Sequence, residues 1–249
     1  MPEYIFNPAI VIPVYNHEHA IGTIVAQVMA SGLPILLVDD GSDIPCQQTL
    51  IALAEQFPHQ LSLLRLEVNG GKGAAVKAGL RWLLDNGYSH GLQIDADGQH
   101  DVADITRFIQ AAESEPDSLI TGYPQYDESV PKIRLYSRYL THIWIWINTL
   151  SFSIKDSMCG FRVYPLQQTV TLLSHCGNRM DFDPEVIVRW LWRYQKVTNL
   201  PTKVHYPLDG VSHFLLWKDN GLITLMHTRL FFGMLWRMPC LLWRKRDGQ

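Results

Sequence analysis

Residues 91–97, GLQIDAD, followed by Gly98, Gln99 and His100, bring a short apolar run to two carboxylates one residue apart. A β-strand alternates its side chains between faces, so Asp95 and Asp97 would project to the same side, where like charges repel unless a cation lies between them. A solvated turn gives the same string, with Asp bonding its own backbone and Gly98 supplying a positive φ. A calcium loop does not, because the EF-hand pattern requires Asp or Asn and then Gly where Gln99 and His100 stand. The choice between a turn and a divalent-metal site depends on the rest of the chain.

The rhythm of the run recurs upstream. AIVIPV (9–14), PILLVDD (34–40) and LSLLRLE (61–67) are β-prone stretches, each about a helix's length from the next. That spacing predicts βαβ units and a mainly parallel α/β sheet. HAIGTIVAQVMASG, ending in Gly32, and GKGAAVKAGLRWLLDNG, with Ala75, Leu80, Leu83 and Leu84 on one stripe, read as intervening helices. Such sheets bind ligands at the carboxyl ends of their strands. There the polar residues fall: Tyr15 and Asn16, Asp39 and Asp40, Asn69 and Lys72, and finally Asp95 and Asp97. Four strand ends converging on one cleft favour a ligand site over four unrelated turns.

Length and composition bound the remainder. The 249 residues suit one large α/β domain with a C-terminal extension. A net charge of −3 and a pI near 6.3 speak against broad electrostatic binding of nucleic acid. Cys46, Cys159, Cys176 and Cys240 form no CxxC, so neither zinc nor a disulfide framework is expected, and a reducing cytoplasm fits. The N-terminus carries no basic region followed by an apolar stretch of signal length. VPKIRLYSRYLTHIWIWINTLSFSIKD reads as a long helix, basic in its first half and aromatic in its second. Leu222–Arg246 is rich in Leu, Phe, Trp and Met, but Arg229, Arg237 and Pro239 interrupt it before it could span a bilayer comfortably. Trp236 and Trp243 beside Arg237, Arg244, Lys245 and Arg246 suit a helix lying among lipid headgroups. A helix packed on the domain with its basic end in water fits the same residues.

Taken in order, VIPVYN, VDDGS, NGGKGAAVKAGL, DADGQH, CGFRVY and MDFDPEV resemble the family 2 glycosyltransferases, most closely the branch of polyprenyl-phosphate and dolichyl-phosphate mannosyl- and glucosyltransferases. The resemblance runs from about residue 9 to about 215. It implies a GT-A fold over 1–215, with a nucleotide half to about 115 and an acceptor half from about 116; the residues of 216–249 read as an amphipathic helical segment open to membrane association. The activity it implies is inverting, metal-dependent transfer of a sugar from a nucleoside diphosphate sugar to a lipid-linked acceptor. The expected setting is the inner face of the cytoplasmic membrane, without spanning it; nucleic acid is not an expected partner, and the oligomeric state is left open.

The same resemblance assigns residues. Pro13, Tyr15 and Asn16 would line the nucleotide pocket, with Asp39 on the base or ribose and Asp40 beside it. Asn69 and Lys72 would hold nucleotide or phosphate groups, helped by the amides of Gly71 and Gly73. GGKGA is not a Walker loop, since its spacing does not fit. Asp95 and Asp97 would bind Mg²⁺ or Mn²⁺ with Gln99 as a third contact, Asp95 also facing the nucleotide and Asp97 carrying the catalytic load. Lys132, Arg134, Arg138 and Arg162 would meet an acceptor phosphate, and His213 in DGVSHF would lie near the diphosphate. Cys159 stands where a hydroxyl residue is common. Glu185 matches a family acid, and Asp183 or Asp181 would serve as base for a hydroxyl acceptor, whereas an anionic phosphate needs none.

Two other readings compete. A sugar-phosphate nucleotidyltransferase carries a Gly-rich, basic loop after its first strand, but PVYNHEHA has no Gly, Lys or Arg. A catalytically silent binding protein of the same fold is opposed by the intact DADG and GGKG.

Overall fold

The computed structural model describes residues 5–126, 132–194, 196–204 and 215–246. The apolar runs become adjacent strands: β1 (Pro8–Val14), β2 (Ile35–Asp40), β3 (Leu61–Leu66) and β4 (His90–Gln93), joined by α1 (Glu18–Met29), α2 (Ile44–Gln56) and α3 (Lys72–Asp85). β1 pairs in parallel with β2 and β4, and β2 with β3. β1 and β2 are apolar on both faces because both faces are covered. Ile10 and Ile12 look towards a core with α1, α2 and α4; Val11, Leu36 and Val38 look towards another with α3, α7 and α8.

The second half follows a different rule. α4 (Ile105–Ser114), β5 (Leu119–Tyr126), α5 (Lys132–Thr149), β6 (Arg162–Pro165), α6 (Leu166–Val170), α7 (Phe182–Arg193), β7 (Val197–Val204) and α8 (Leu216–Arg246) complete the chain. The sheet order is β3-β2-β1-β4-β6-β5-β7. β6 is inserted antiparallel between β4 and β5, while β7 lies parallel to β5. The sheet is thus parallel through its first four strands and mixed beyond them.

Two expectations need adjustment. The run read as a strand through Asp97 leaves the ladder at Gln93, although Ile94 N still donates to Val11 O at 3.0 Å. Asp95 and Asp97 therefore stand in the turn beyond β4, and strand alternation is not what brings them together. The C-terminal stretch is one helix of 31 residues with Pro239 inside it. Met226, Leu230, Met234 and Leu241 bury one face of α8 in the core shared with Ile145 and Trp192. Its other face exposes Leu225, Phe232, Leu235, Trp236, Leu242 and Trp243. Among the described residues, no helix is long and apolar enough to cross a membrane.

Candidate active site

The ends of β1 and β2 are stitched to each other before any ligand arrives. Asn16, at φ 52°, accepts from Asp43 N through Oδ1 (2.9 Å) and donates from Nδ2 to Asp43 Oδ2 (3.0 Å), while its own N–H donates to Ser42 Oγ. Asp39 is buried; Ser42 N donates to its Oδ1 at 2.8 Å and Arg65 pairs with its Oδ2. Tyr15 is half-buried at this edge, and Pro13 is enclosed within β1 opposite Val38.

Asp40 faces the next loop. Gly70 N and Gly71 N each donate to one of its carboxylate oxygens at 2.8 Å. Burial pushes its carboxyl up, and the two amides work against that shift. Two expected nucleotide contacts are corrected here: Asp40 is occupied in shaping the glycine loop, and the Gly71 amide is already spent on Asp40. Gly73 is corrected as well, because a Cβ there would collide with Phe182 and the Asn178 backbone, so it lies under the 178–182 segment. Asn69 is exposed on the loop after β3.

The centre of the site is Lys72, in the first turn of α3. Its Nζ donates to Asp95 Oδ2 and Asp183 Oδ2, each at 2.8 Å. Burial disfavours the ammonium, but Asp183 and Asp95 outweigh it and raise its pKa. Burial likewise works against the Asp95 anion, and Lys72 overcomes it, holding that carboxyl below its usual range. Among the described residues no ammonium or guanidinium pairs directly with Asp97. Burial and the Asp95 charge push its carboxyl up, while Gln99 N donates to its Oδ1 at 3.0 Å. Gly160 explains part of this crowding: a Cβ at that position would fall on the Asp95 carboxylate.

The donor set suits a hard divalent ion. Among the described residues no group of three or more His, Cys, Asp or Glu side chains forms a self-sufficient metal centre. Mg²⁺ and its relatives commonly take only one or two carboxylates from protein and fill their remaining positions with phosphate and water. Asp95 and Asp97 offer that number, with an under-neutralised carboxyl at Asp97 and the half-buried Gln99 amide beside it.

Behind the carboxylates the side chains are closed structures. Arg162 is wholly buried; Nη1 donates to the Asp183 carbonyl at 2.7 Å and Nη2 to the Ser157 carbonyl. It cannot receive an acceptor phosphate and instead supports the backbone beneath Asp183. Glu185 is also wholly buried, accepting from Arg189, Arg229 and Gly177 N. This removes it as a catalytic acid or base: it ties α7 to α8. Asp181 is buried and accepts from Arg179 N. Arg138 forks onto Asp156, which also accepts from Met158 N and Cys159 N. Burial raises the Cys159 thiol to about 12, which keeps it protonated. Arg134 lies in α5, but its side chain, like that of Lys132, is outside the described residues, as is His213.

Sequence reasoning missed Gln93, Tyr164 and Arg65. Gln93 and Arg65 had a readable signal, a polar side chain inside an otherwise apolar strand; Tyr164 had none.

A family model described as glycosyl transferase family 2 matches residues 9–173. The chain belongs to this family. It is 29% identical over 168 residues to a polyprenol monophosphomannose synthase of Mycolicibacterium smegmatis, covering 62% of this chain and 60% of that one. It is 23% identical over 266 residues to a dolichyl-phosphate beta-glucosyltransferase of Trichomonas vaginalis, covering 98% and 79%. An undecaprenyl-phosphate 4-deoxy-4-formamido-L-arabinose transferase of Pectobacterium carotovorum is 27% identical over 74% of this chain and 56% of its own length. Among solved structures, glucosyl-3-phosphoglycerate synthase of Mycobacterium tuberculosis, in complex with Mn²⁺, uridine-diphosphate-glucose and phosphoglyceric acid, superposes with a TM-score of 0.65 at 11% identity, over 94% of this chain and 85% of that one. The protein is a glycosyltransferase with the GT-A fold, and these relatives include members of the polyprenyl-phosphate branch.

Proposed function

We propose that this glycosyltransferase moves a sugar, with inversion, from a nucleoside diphosphate sugar to a lipid-linked phosphate, with Mg²⁺ or Mn²⁺ held at Asp95 and Asp97. The observation that carries the reading is the cluster beyond β4, where Lys72 divides its ammonium between Asp95 and Asp183 and the Asp95 charge crowds Asp97. When bound, the ion supplies Lewis-acid neutralisation of the departing diphosphate. Lys72 supplies a second positive charge to the same phosphates from the start of α3, beside the loop that Asp40 shapes. Asp39 with Arg65 and the Asn16–Asp43 pair give the nucleoside end rigid walls.

The acceptor class follows from Asp183. Its Oδ2 accepts from Lys72 Nζ at 2.8 Å and its Oδ1 lies 3.4 Å from Gln93 Nε2, so both carboxylate oxygens are engaged within the protein. A hydroxyl acceptor needs a base, whereas a phosphate already carries the attacking charge. The names of the polyprenyl- and dolichyl-phosphate relatives agree with a phosphate acceptor. The exposed apolar face of α8 would bring the cleft to the membrane surface on which such lipids lie.

The test is incubation with a panel of nucleotide sugars, Mn²⁺ and a short-chain polyprenyl phosphate. Metal-dependent formation of glycosylated lipid with release of nucleoside diphosphate is expected. Release of pyrophosphate would mean nucleotidyl transfer, and binding without turnover would mean a silent protein; either result ends this reading.

A further inference from the structure

The geometry points to Gln93 as a positioning residue that fixes the spacing of Asp95 and Asp183 from beneath, with Tyr164 setting the direction of its amide. The inference rests on the metal-dependent reading above.

Gln93 is the last residue of β4 and is wholly buried. A buried amide in an apolar strand is costly unless its donors and acceptor are all placed. Here they are. Nε2 lies 3.4 Å from Asp95 Oδ1 and 3.4 Å from Asp183 Oδ1, a reach shared between two carboxylates. Oε1 accepts from Tyr164 Oη at 3.0 Å. That hydroxyl decides which end of the amide faces the acids, since an inverted amide would aim its oxygen at two anions and leave the phenol without its acceptor. Burial pushes the Tyr164 phenol well up, so it remains a donor throughout the ordinary pH range.

Lys72 and Gln93 thus close a ring with Asp95 and Asp183, one donor on each edge. The edges differ. Lys72 is 18% exposed and charged, so incoming phosphate oxygens can draw it away. Gln93 is neutral, buried and has no route to the ligand. When Lys72 turns to phosphate, Gln93 is the donor that still joins the two acids. A lysine there would compete with a metal ion for Asp95, and a glutamate would repel both acids. A neutral two-hydrogen donor holds them without doing either. Groups that orient metal-binding carboxylates in this way typically alter metal affinity about 10- to 100-fold when removed.

The experiment is a Mn²⁺ titration followed by electron paramagnetic resonance of the free ion, with uridine diphosphate and guanosine diphosphate added in turn, on the full chain and on Gln93→Met and Tyr164→Phe. Thermal denaturation and transfer kinetics run in parallel. Gln93→Met should weaken Mn²⁺ binding about tenfold and raise the metal concentration needed for half-maximal transfer to match. Tyr164→Phe, which removes one oxygen, should shift both in the same direction by less and decides the matter if Gln93→Met fails to fold. Metal affinity within about twofold of the parent in both variants, with only the melting temperature lowered, would reduce Gln93 to a core residue and overturn the inference. A parent protein that binds no Mn²⁺ with either nucleotide would overturn the metal-dependent reading itself, and this inference with it.

Discussion

Two regions of the molecule use charge in opposite ways. Beyond β4 and at the start of α3 the ionic groups are unfinished: Asp95 and Asp97 crowd each other, and Lys72 divides one ammonium between Asp95 and Asp183. Among α5, α7 and α8 other pairs are complete, with Glu185 enclosed by Arg189 and Arg229, Asp156 forked by Arg138, and Asp219 holding Arg179. The first region leaves charge unbalanced, whereas the second spends it on holding the protein together. The same type of side chain therefore carries different costs when removed.

The contrast is broken most directly by exchanging a carboxylate on each side. Asp97→Ala should lower sugar transfer about a thousandfold, or about 4 kcal/mol, with the melting temperature nearly unchanged. Asp95→Ala should act in the same direction. Glu185→Ala should do the reverse. It leaves the partly buried Arg189 without its counter-charge, costing about 3 to 4 kcal/mol of stability by urea denaturation while the turnover of the folded fraction is retained. If Asp97→Ala unfolded the protein and Glu185→Ala abolished turnover without loss of stability, the division between the two regions would be wrong.

How much of this the sequence disclosed depends on what each region needed to encode. The parallel strands are covered on both faces and so read as uninterrupted apolar runs, and their polar ends could be placed from that pattern alone. β6 has four residues, and β5 and β7 carry Gly122, Pro124 and Pro201 within them, so neither length nor alternation marked them. Residue type was legible in the second half, but orientation was not. Arg162 and Glu185 belong to recognisable motifs, yet whether an arginine points at a cleft or at the carbonyls of Ser157 and Asp183 is settled by the antiparallel insertion of β6, which no local pattern announces. Gln93 was visible as an anomaly in GLQID, and its meaning required Tyr164 from another strand.

A smaller effect sharpens the view of the α5–α8 interface. His227 is buried, its Nδ1 within 3.2 Å of Asn148 Nδ2 and its ring stacked with Trp144 at 6.0 Å. Burial lowers its pKa to about 4, and the Glu185 charge offsets this only in part. The folded pKa lies below the unfolded value of 6.5, so the unfolded chain binds the extra proton between them. Stability is therefore complete above about pH 6.5 and is lost as pH falls towards 4, by at most about 3 kcal/mol. Urea midpoints of the parent and His227→Gln should converge at acid pH relative to neutral pH. Parallel curves over that range would show that another group governs the acid response.

The last comparison lies within α8, between its buried and exposed faces. Deleting the helix would be a poor test of membrane docking, because Met226, Leu230, Met234 and Leu241 belong to the core and their loss would unfold what is being measured. Point changes on the outer face avoid this. Trp236 is 88% exposed and Trp243 64%, a cost in water that a lipid interface relieves. The neighbouring arginines are partly committed inward: Arg237 lies over the Trp192 ring at 4.6 Å, and Arg244 Nη1 donates to the Trp192 carbonyl at 2.8 Å. Attachment should thus depend more on the aromatic side chains than on charge. Each ring taken into the interface contributes about 1 to 2 kcal/mol, so Trp236→Ser with Trp243→Ser should reduce cosedimentation with anionic vesicles at least about tenfold. Raising the salt should weaken the parent's binding less than this pair of changes does. Transfer to a detergent-solubilised acceptor should be unaffected. Vesicle binding that survives the double change, or that is missing from the full chain at low salt, would leave the exposed face of α8 without a membrane role and the sugar-transfer chemistry intact.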